Sequence, residues 1–148
     1  RNTFYECTLP NCGKAIFVHP SVYMCYPENI QIGYNVFINR GAYLTAPTLI
    51  SIGDNSLIGP YAILNSGSHL YHNPNKLIRD QGHKLGPIRI ESDVWIGANV
   101  YISPNVTVGQ GSIVAANSVV TQSVEPYSIV AGIPAKAILY RRAKSKEN

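Results

Sequence analysis

Three of the four histidines, His69, His72 and His83, fall in one stretch, 65–87, together with Gly67, Gly82, Gly86, Pro74 and Pro87. Imidazole titrates close to neutral pH, so a histidine carried by an irregular loop suits general-base work on a hydroxyl group. Set against this, an isolated histidine also fits a hydrogen-bonded structural group. That plainer reading is kept for His72 and His83, with lining of an acceptor pocket as the alternative for either, and, near the start of the chain, for His19. Cys7, Cys12 and Cys25 are odd in number, match no zinc spacing and all precede the loop. They are expected to be reduced thiols in a reducing compartment. Basic residues gather at the end of the chain as Arg141, Arg142, Lys144 and Lys146, either as a solvated tail or as a contact for the phosphates of a small anionic ligand.

The elements that must position these groups are set by a repeat. Aliphatic residues recur every six positions at Ile90, Ile96, Ile102, Val108, Val114 and Val120, and earlier at Ile32, Ile38, Leu44 and at Ile52, Ile58, Leu64, with Ile16 and Val22 as a partial start. A period of six fits neither the 3.6 of a helix nor plain strand alternation. It predicts a solenoid whose short strands each end at a corner. Three residues after each aliphatic stand Asn35, Gly41, Pro47, Asn55, Tyr61, Gly67, Asp93, Asn99, Asn105, Gly111, Asn117 and Ser123. Most are Gly, Asn or Asp, the types that tolerate left-handed backbone. Two residues before the aliphatics come Ile30, Val36, Ala42, Ser56, Ala62, Val94, Val100, Val106, Ser112 and Ser118, which strand alternation turns to the same interior.

Here the sequence resembles the hexapeptide-repeat acyltransferases, whose unit is an aliphatic residue, often a glycine, then four variable positions. The resemblance implies an all-β left-handed parallel β-helix with three hexads per coil, giving coils 32/38/44, 52/58/64, 90/96/102 and 108/114/120. It also implies a short C-terminal helical segment. Leu64 to Ile90 spans 26 residues, 20 more than one hexad, so a loop of about 65–87 protrudes, and loops on such scaffolds carry function. The histidine in NSGSHLYH, the loop and the returning VWIG resemble the sugar O-acetyltransferase branch, including galactoside, maltose, nodulation and polysaccharide O-acetyltransferases. One β-helix domain over 1–139 and a basic tail over 140–148 are expected.

The resemblance implies an acetyl-CoA-dependent O-acetyltransferase acting on a sugar or surface-polysaccharide precursor, with no metal required. His69 takes the role of general base in a direct ternary complex. Asn39, Trp95 and His72 are expected at the acceptor, although LTAPTLISIGDN lacks the acidic residue many relatives carry there. Trp95 directly precedes inward Ile96 and so points outward, either toward ligand or beneath a neighbour. Ala98, Ala116, Thr121 and Gln122 match positions along the coenzyme, or are small for packing alone. Lys136, in AGIPAKAI, takes the basic place near the nucleotide phosphates, helped by Arg141. A homotrimer with sites between subunits is implied.

Rival readings are a xenobiotic acetyltransferase acting on an antibiotic hydroxyl, a zinc enzyme resembling the carbonic anhydrases of this fold, and a non-catalytic solenoid. The zinc class resembles sites built on two histidines four apart, whereas the gaps here are 3 and 11. A solenoid without catalysis leaves the insert and AGIPAK unexplained. Charged residues are only 14% of the chain and net charge is +4. With four basic residues in the last eight, no basic stripe suggests nucleic acid. No apolar run is long enough for a membrane span, and the start lacks a secretion signal, so a cytoplasmic protein is expected. Because the chain starts at Arg1, a few residues are expected before it.

Overall fold

A computed structural model describes residue 9 and residues 11–141; Cys7, Arg142, Lys144 and Lys146 lie outside the described residues. Each hexad forms a strand of two or three residues, too short to stand alone, that is paired in parallel with the same hexad of the next coil. The result is a three-walled column. Its first wall holds β1 (Asn11–Cys12), β4 (Ile30–Ile32), β7 (Ile50–Ile52), β12 (Ile88–Ile90) and β15 (Thr107–Val108). The second holds β2 (Phe17–Val18), β5 (Phe37–Ile38), β8 (Leu57–Ile58), β13 (Trp95–Ile96), β16 (Ile113–Val114), β18 (Ser128–Gly132) and β19 (Ala135–Tyr140). The third holds β3 (Tyr23–Cys25), β6 (Tyr43–Thr45), β9 (Ile63–Asn65), β14 (Tyr101–Ile102) and β17 (Val119–Val120).

The expected coils are found in register: Ile32, Ile52, Ile90 and Val108 align on one wall, Ile38, Ile58, Ile96 and Val114 on the next, and Leu44, Leu64, Ile102 and Val120 on the third. All are buried, as are all ten residues expected two positions before an aliphatic. Burying each such Val, Leu or Ile contributes about 1.5–3 kcal/mol relative to exposure.

The first coil differs from expectation. Cys12, Val18 and Met24 pair with Ile32, Ile38 and Leu44, while Ile16 and Val22 occupy the places two residues ahead of the strand aliphatics. Both sets point inward, and a cysteine or methionine at the register position masks it from an aliphatic pattern. The C-terminal helical segment is also corrected. Residues 128–140 form an antiparallel hairpin, β18 and β19, that extends the second wall. Ser128 and Val130 turn into the column, and this period of two favours strand.

Of the twelve corner positions, Asn35, Gly41, Asn55, Tyr61, Asp93, Asn99, Asn105, Gly111 and Asn117 have positive φ, whereas Pro47, Gly67 and Ser123 do not. The exceptions lie where the chain leaves its six-residue step, so no tight left-handed corner is needed there. At Gly111, φ is +69° and an added Cβ would lie 2.5 Å from the Tyr127 ring. Gly111→Ala is therefore expected to destabilise the column by roughly 2 kcal/mol or more, read as a lowered melting temperature.

The walls differ on their outer surfaces. The first presents Asn11, Gln31, Ser51, Arg89 and Thr107. The second presents Phe17, Phe37, Leu57, Trp95 and Ile113, and the third Tyr23, Tyr43, Ile63, Tyr101 and Val119. Phe17 stacks on Phe37 at 5.0 Å and Tyr23 on Tyr43 at 4.7 Å between centroids. No helix among the described residues is long and apolar enough to cross a membrane.

Candidate active site

The insert is an antiparallel arm, β10 (Gly67–His69) with β11 (His83–Leu85). Ser66, buried at its base, donates to the carbonyl of Thr48 at 2.7 Å, and the Gly86 amide donates to the Ser66 carbonyl at 2.9 Å. These bonds fix the arm where it leaves the column. His69 and His83 stand directly opposite each other, with ring centroids 4.5 Å apart. Both line a cavity of about 580 Å³ with Asn65, Thr45, Pro47, Tyr26, Leu85 and Tyr101. Tyr26 holds φ +60° at its rim, a conformation unusual for an aromatic residue and found where structure is set by a site or a tight corner.

A second cavity, of about 760 Å³, is a groove along the second wall and its following corner. Asn39, Trp95, Ala98 and Ala116 all line it. Trp95 is 52% exposed, as expected from its outward register. The Asn39 Oδ1 accepts from the Arg40 amide at 2.8 Å, which holds the carboxamide at the corner. Gly59 and Gly97 let successive coils stack closely beneath the groove: a Cβ on Gly59 would lie 2.6 Å from the Gly97 carbonyl carbon, and one on Gly97 would lie 2.6 Å from the Ala116 nitrogen. The two cavities share no lining residue: His69 lines one and Trp95 the other.

The remaining expected residues are dispersed. His72 packs on Tyr71 and lines a separate depression with Leu70, Asn73, Lys76 and Gln81. Thr121 and Gln122 are exposed just after β17, outside both cavities. Lys136 is exposed on β19 opposite Ala131. Arg141 has partners within the chain: its Nη1 donates to the Gly111 carbonyl at 2.6 Å and to Asp93 at 3.0 Å. His19 bonds Ser21 at 3.1 Å in the first coil. Among the described residues no three His, Cys, Asp or Glu side chains converge as metal ligands.

Sequence reasoning left His83 between a structural group and a lining residue of an acceptor pocket, and found neither its pairing with His69 nor that Asn65, Tyr26 and Tyr101 complete that cavity. The signal was present in the arm itself. Gly67 and His69 alternate on one strand, as His83 and Leu85 do on the other, which is the spacing of one hairpin face.

The fold matches a hexapeptide-repeat acetyltransferase of Vibrio cholerae O1 biovar eltor, solved with acetyl coenzyme A, with a TM-score of 0.88 and 35% identity over 95% of this chain and 76% of that one. The chain belongs to the hexapeptide-repeat acetyltransferases. Its column is thus the left-handed parallel β-helix of that family. The profile described as bacterial transferase hexapeptide (six repeats) matches residues 87–122, the uninterrupted part of the repeat. Among hexapeptide-repeat relatives, the galactoside O-acetyltransferase of Escherichia coli (strain K12) is 37% identical over 127 residues, 85% of this chain and 61% of that protein. A probable macrolide acetyltransferase of Lysinibacillus sphaericus is 56% identical over 61 residues, 41% of this chain and 34% of that protein. The chain thus spans about three fifths of the first relative and a third of the second.

Proposed function

We propose that this chain transfers the acetyl group of acetyl-CoA to a hydroxyl of a sugar or surface-polysaccharide precursor, in a direct ternary complex with His69 as general base. The observation that carries this reading is the His69 ring, held by a hydrogen-bonded arm over a cavity lined by the polar side chains of Asn65, Thr45, Tyr26 and Tyr101. His69 takes the acceptor hydroxyl proton as the oxygen bonds to the thioester carbonyl carbon. The carbon–sulfur bond then breaks and the proton passes to the departing thiolate, leaving an acetyl ester and free CoA. Such a base contributes about 10²- to 10⁴-fold.

The apolar groove beside Trp95, Ala98 and Ala116, lined by small residues, suits the pantetheine arm. Because His69 and this groove lie on different parts of one copy, the site is completed between copies. Two of the three walls carry exposed apolar ladders and the third is polar. A two-fold dimer pairs a surface with itself, whereas a head-to-tail ring packs the second wall of one copy against the third wall of the next and covers both. A homotrimer satisfies this with every site filled. Thr121 and Gln122 then belong to the His69 side of the site.

Lys136, exposed on the terminal hairpin, is placed at the nucleotide phosphates. Lys136→Glu is expected to raise the apparent KM for acetyl-CoA more than that for the acceptor, measured by steady-state release of free thiol. Unchanged coenzyme KM assigns the phosphates elsewhere. The activity itself is tested by screening acetyl-CoA consumption against sugars, nucleotide sugars and hydroxylated antibiotics. The macrolide-type relative makes antibiotics the second class to test, and turnover confined to them replaces the sugar reading.

A further inference from the structure

We propose that His83 is a specificity-determining residue that holds the hydroxyl neighbouring the one that reacts, so that the acceptor is a vicinal diol on a pyranose ring. The proposal rests on the reading of His69 as the base for a sugar hydroxyl and deepens it.

The argument begins with backbone pairing. Gly86 donates to the Ser66 carbonyl and Leu70 to the Gly82 carbonyl. Since hydrogen-bonded and non-hydrogen-bonded pairs alternate along an antiparallel ladder, Gly67/Leu85 and His69/His83 occupy non-hydrogen-bonded positions, where facing side chains approach most closely. The two imidazoles therefore lie side by side, 4.5 Å between centroids and tilted by 42°. Gly67, opposite Leu85 on the same face, leaves room over the cavity that a larger residue would fill: a Cβ there would lie 2.7 Å from the Pro47 ring.

Both rings line the same cavity, and among the described residues neither makes a side-chain hydrogen bond within the protein. Their nitrogens are thus available to ligand. The other polar groups around them are neutral, from Thr45, Asn65, Ser68, Tyr26 and Tyr101, and among the described residues no carboxylate, lysine or arginine lines the cavity. That lining recognises a neutral polyhydroxylated molecule by hydrogen bonds and aromatic faces rather than by charge. Two adjacent imidazoles offer one nitrogen to remove a proton and a second to bond a neighbouring hydroxyl. A site built this way discriminates against an acceptor lacking that hydroxyl, because a polar group in the site is then left unpaired.

The test crosses His83 with the acceptor. Methyl α-D-glucopyranoside, methyl α-D-mannopyranoside and methyl β-D-galactopyranoside are each compared with single-deoxy analogues lacking the hydroxyl next to the acetylated one, using kcat/KM for acetyl transfer. Wild type is expected to favour the diol by at least about 10-fold. His83→Phe, which keeps a ring against His69 but removes its nitrogens, is expected to bring the ratio to about 1, and His83→Asn to restore part of it. A ratio unchanged in His83→Phe, or no preference in wild type, overturns the proposal. If no pyranoside is acetylated, the sugar reading fails instead. If His69→Ala keeps its turnover, the assignment of the base fails while the His83 ratio remains readable.

Discussion

His69→Ala is expected to lower turnover by at least about 100-fold while the column keeps its melting temperature. The kinetic part follows from chemistry: an alcohol near neutral pH is a weak nucleophile, and among the described residues lining the cavity His69 and His83 are the ones with an imidazole to take its proton. Positioning of the two substrates and stabilisation of the developing oxyanion are left in place, so a residual rate is expected rather than none. The stability part follows from the fold. His69 is exposed on the arm, outside the hydrophobic interior, and its side chain holds no partner bond that its loss would orphan. His19→Ala, which removes a bond to Ser21 in the first coil, is the matched control and should retain close to the wild-type rate. The two variants are compared by thiol release at saturating acetyl-CoA and by thermal melting. A His69→Ala rate close to wild type removes this imidazole from the chemistry.

What was legible in the sequence depended on how directly one residue decides its own surroundings. A six-residue step in aliphatics, with Asn, Gly or Asp at the corner, determines both the inward face and the bend, so coils from Ile32 to Val120 were readable residue by residue. Cys12 and Met24 occupy aliphatic places without being aliphatic, and the first coil was therefore read two residues out of register. Tyr26, Tyr61 and Tyr127 hold left-handed corners for which their own type gives no signal. In two cases the ring is accommodated by a glycine on the preceding coil, Gly41 below Tyr61 and Gly111 below Tyr127. That complementarity is a contact across coils. The candidate site shows the same division. His69 was identifiable from its local setting, but the place of His83 depends on which strand residues pair across the insert. Arg141 depends likewise on Asp93, 48 residues away.

Two inactive variants are expected to restore activity when they share an assembly. His69→Ala leaves the groove open but removes the proposed base. Ala116→Trp leaves the base but places an indole in the groove, at an exposed position where no core residue is displaced. If the base of one copy serves the groove of the next around a closed ring, every three-membered ring containing both variants has one junction at which an intact His69 meets an open groove. The other two junctions lack one or both. Co-expressing the variants under two different affinity tags, and purifying through both, selects the mixed rings. Their rate is expected to be about one third of wild type per chain, against near-background rates for each variant alone. In the proposed assembly neighbours sit head to tail, which covers the apolar ladders on two walls, and each site draws on the His69 cavity of one copy and the Trp95 groove of the next. Mixed assemblies no more active than the two parents would place base and coenzyme within one copy, and the apolar walls would then need another explanation. Restoration instead ties the asymmetry of the three walls directly to catalysis, since the surfaces that hold the copies together are those that bring the imidazole to the thioester.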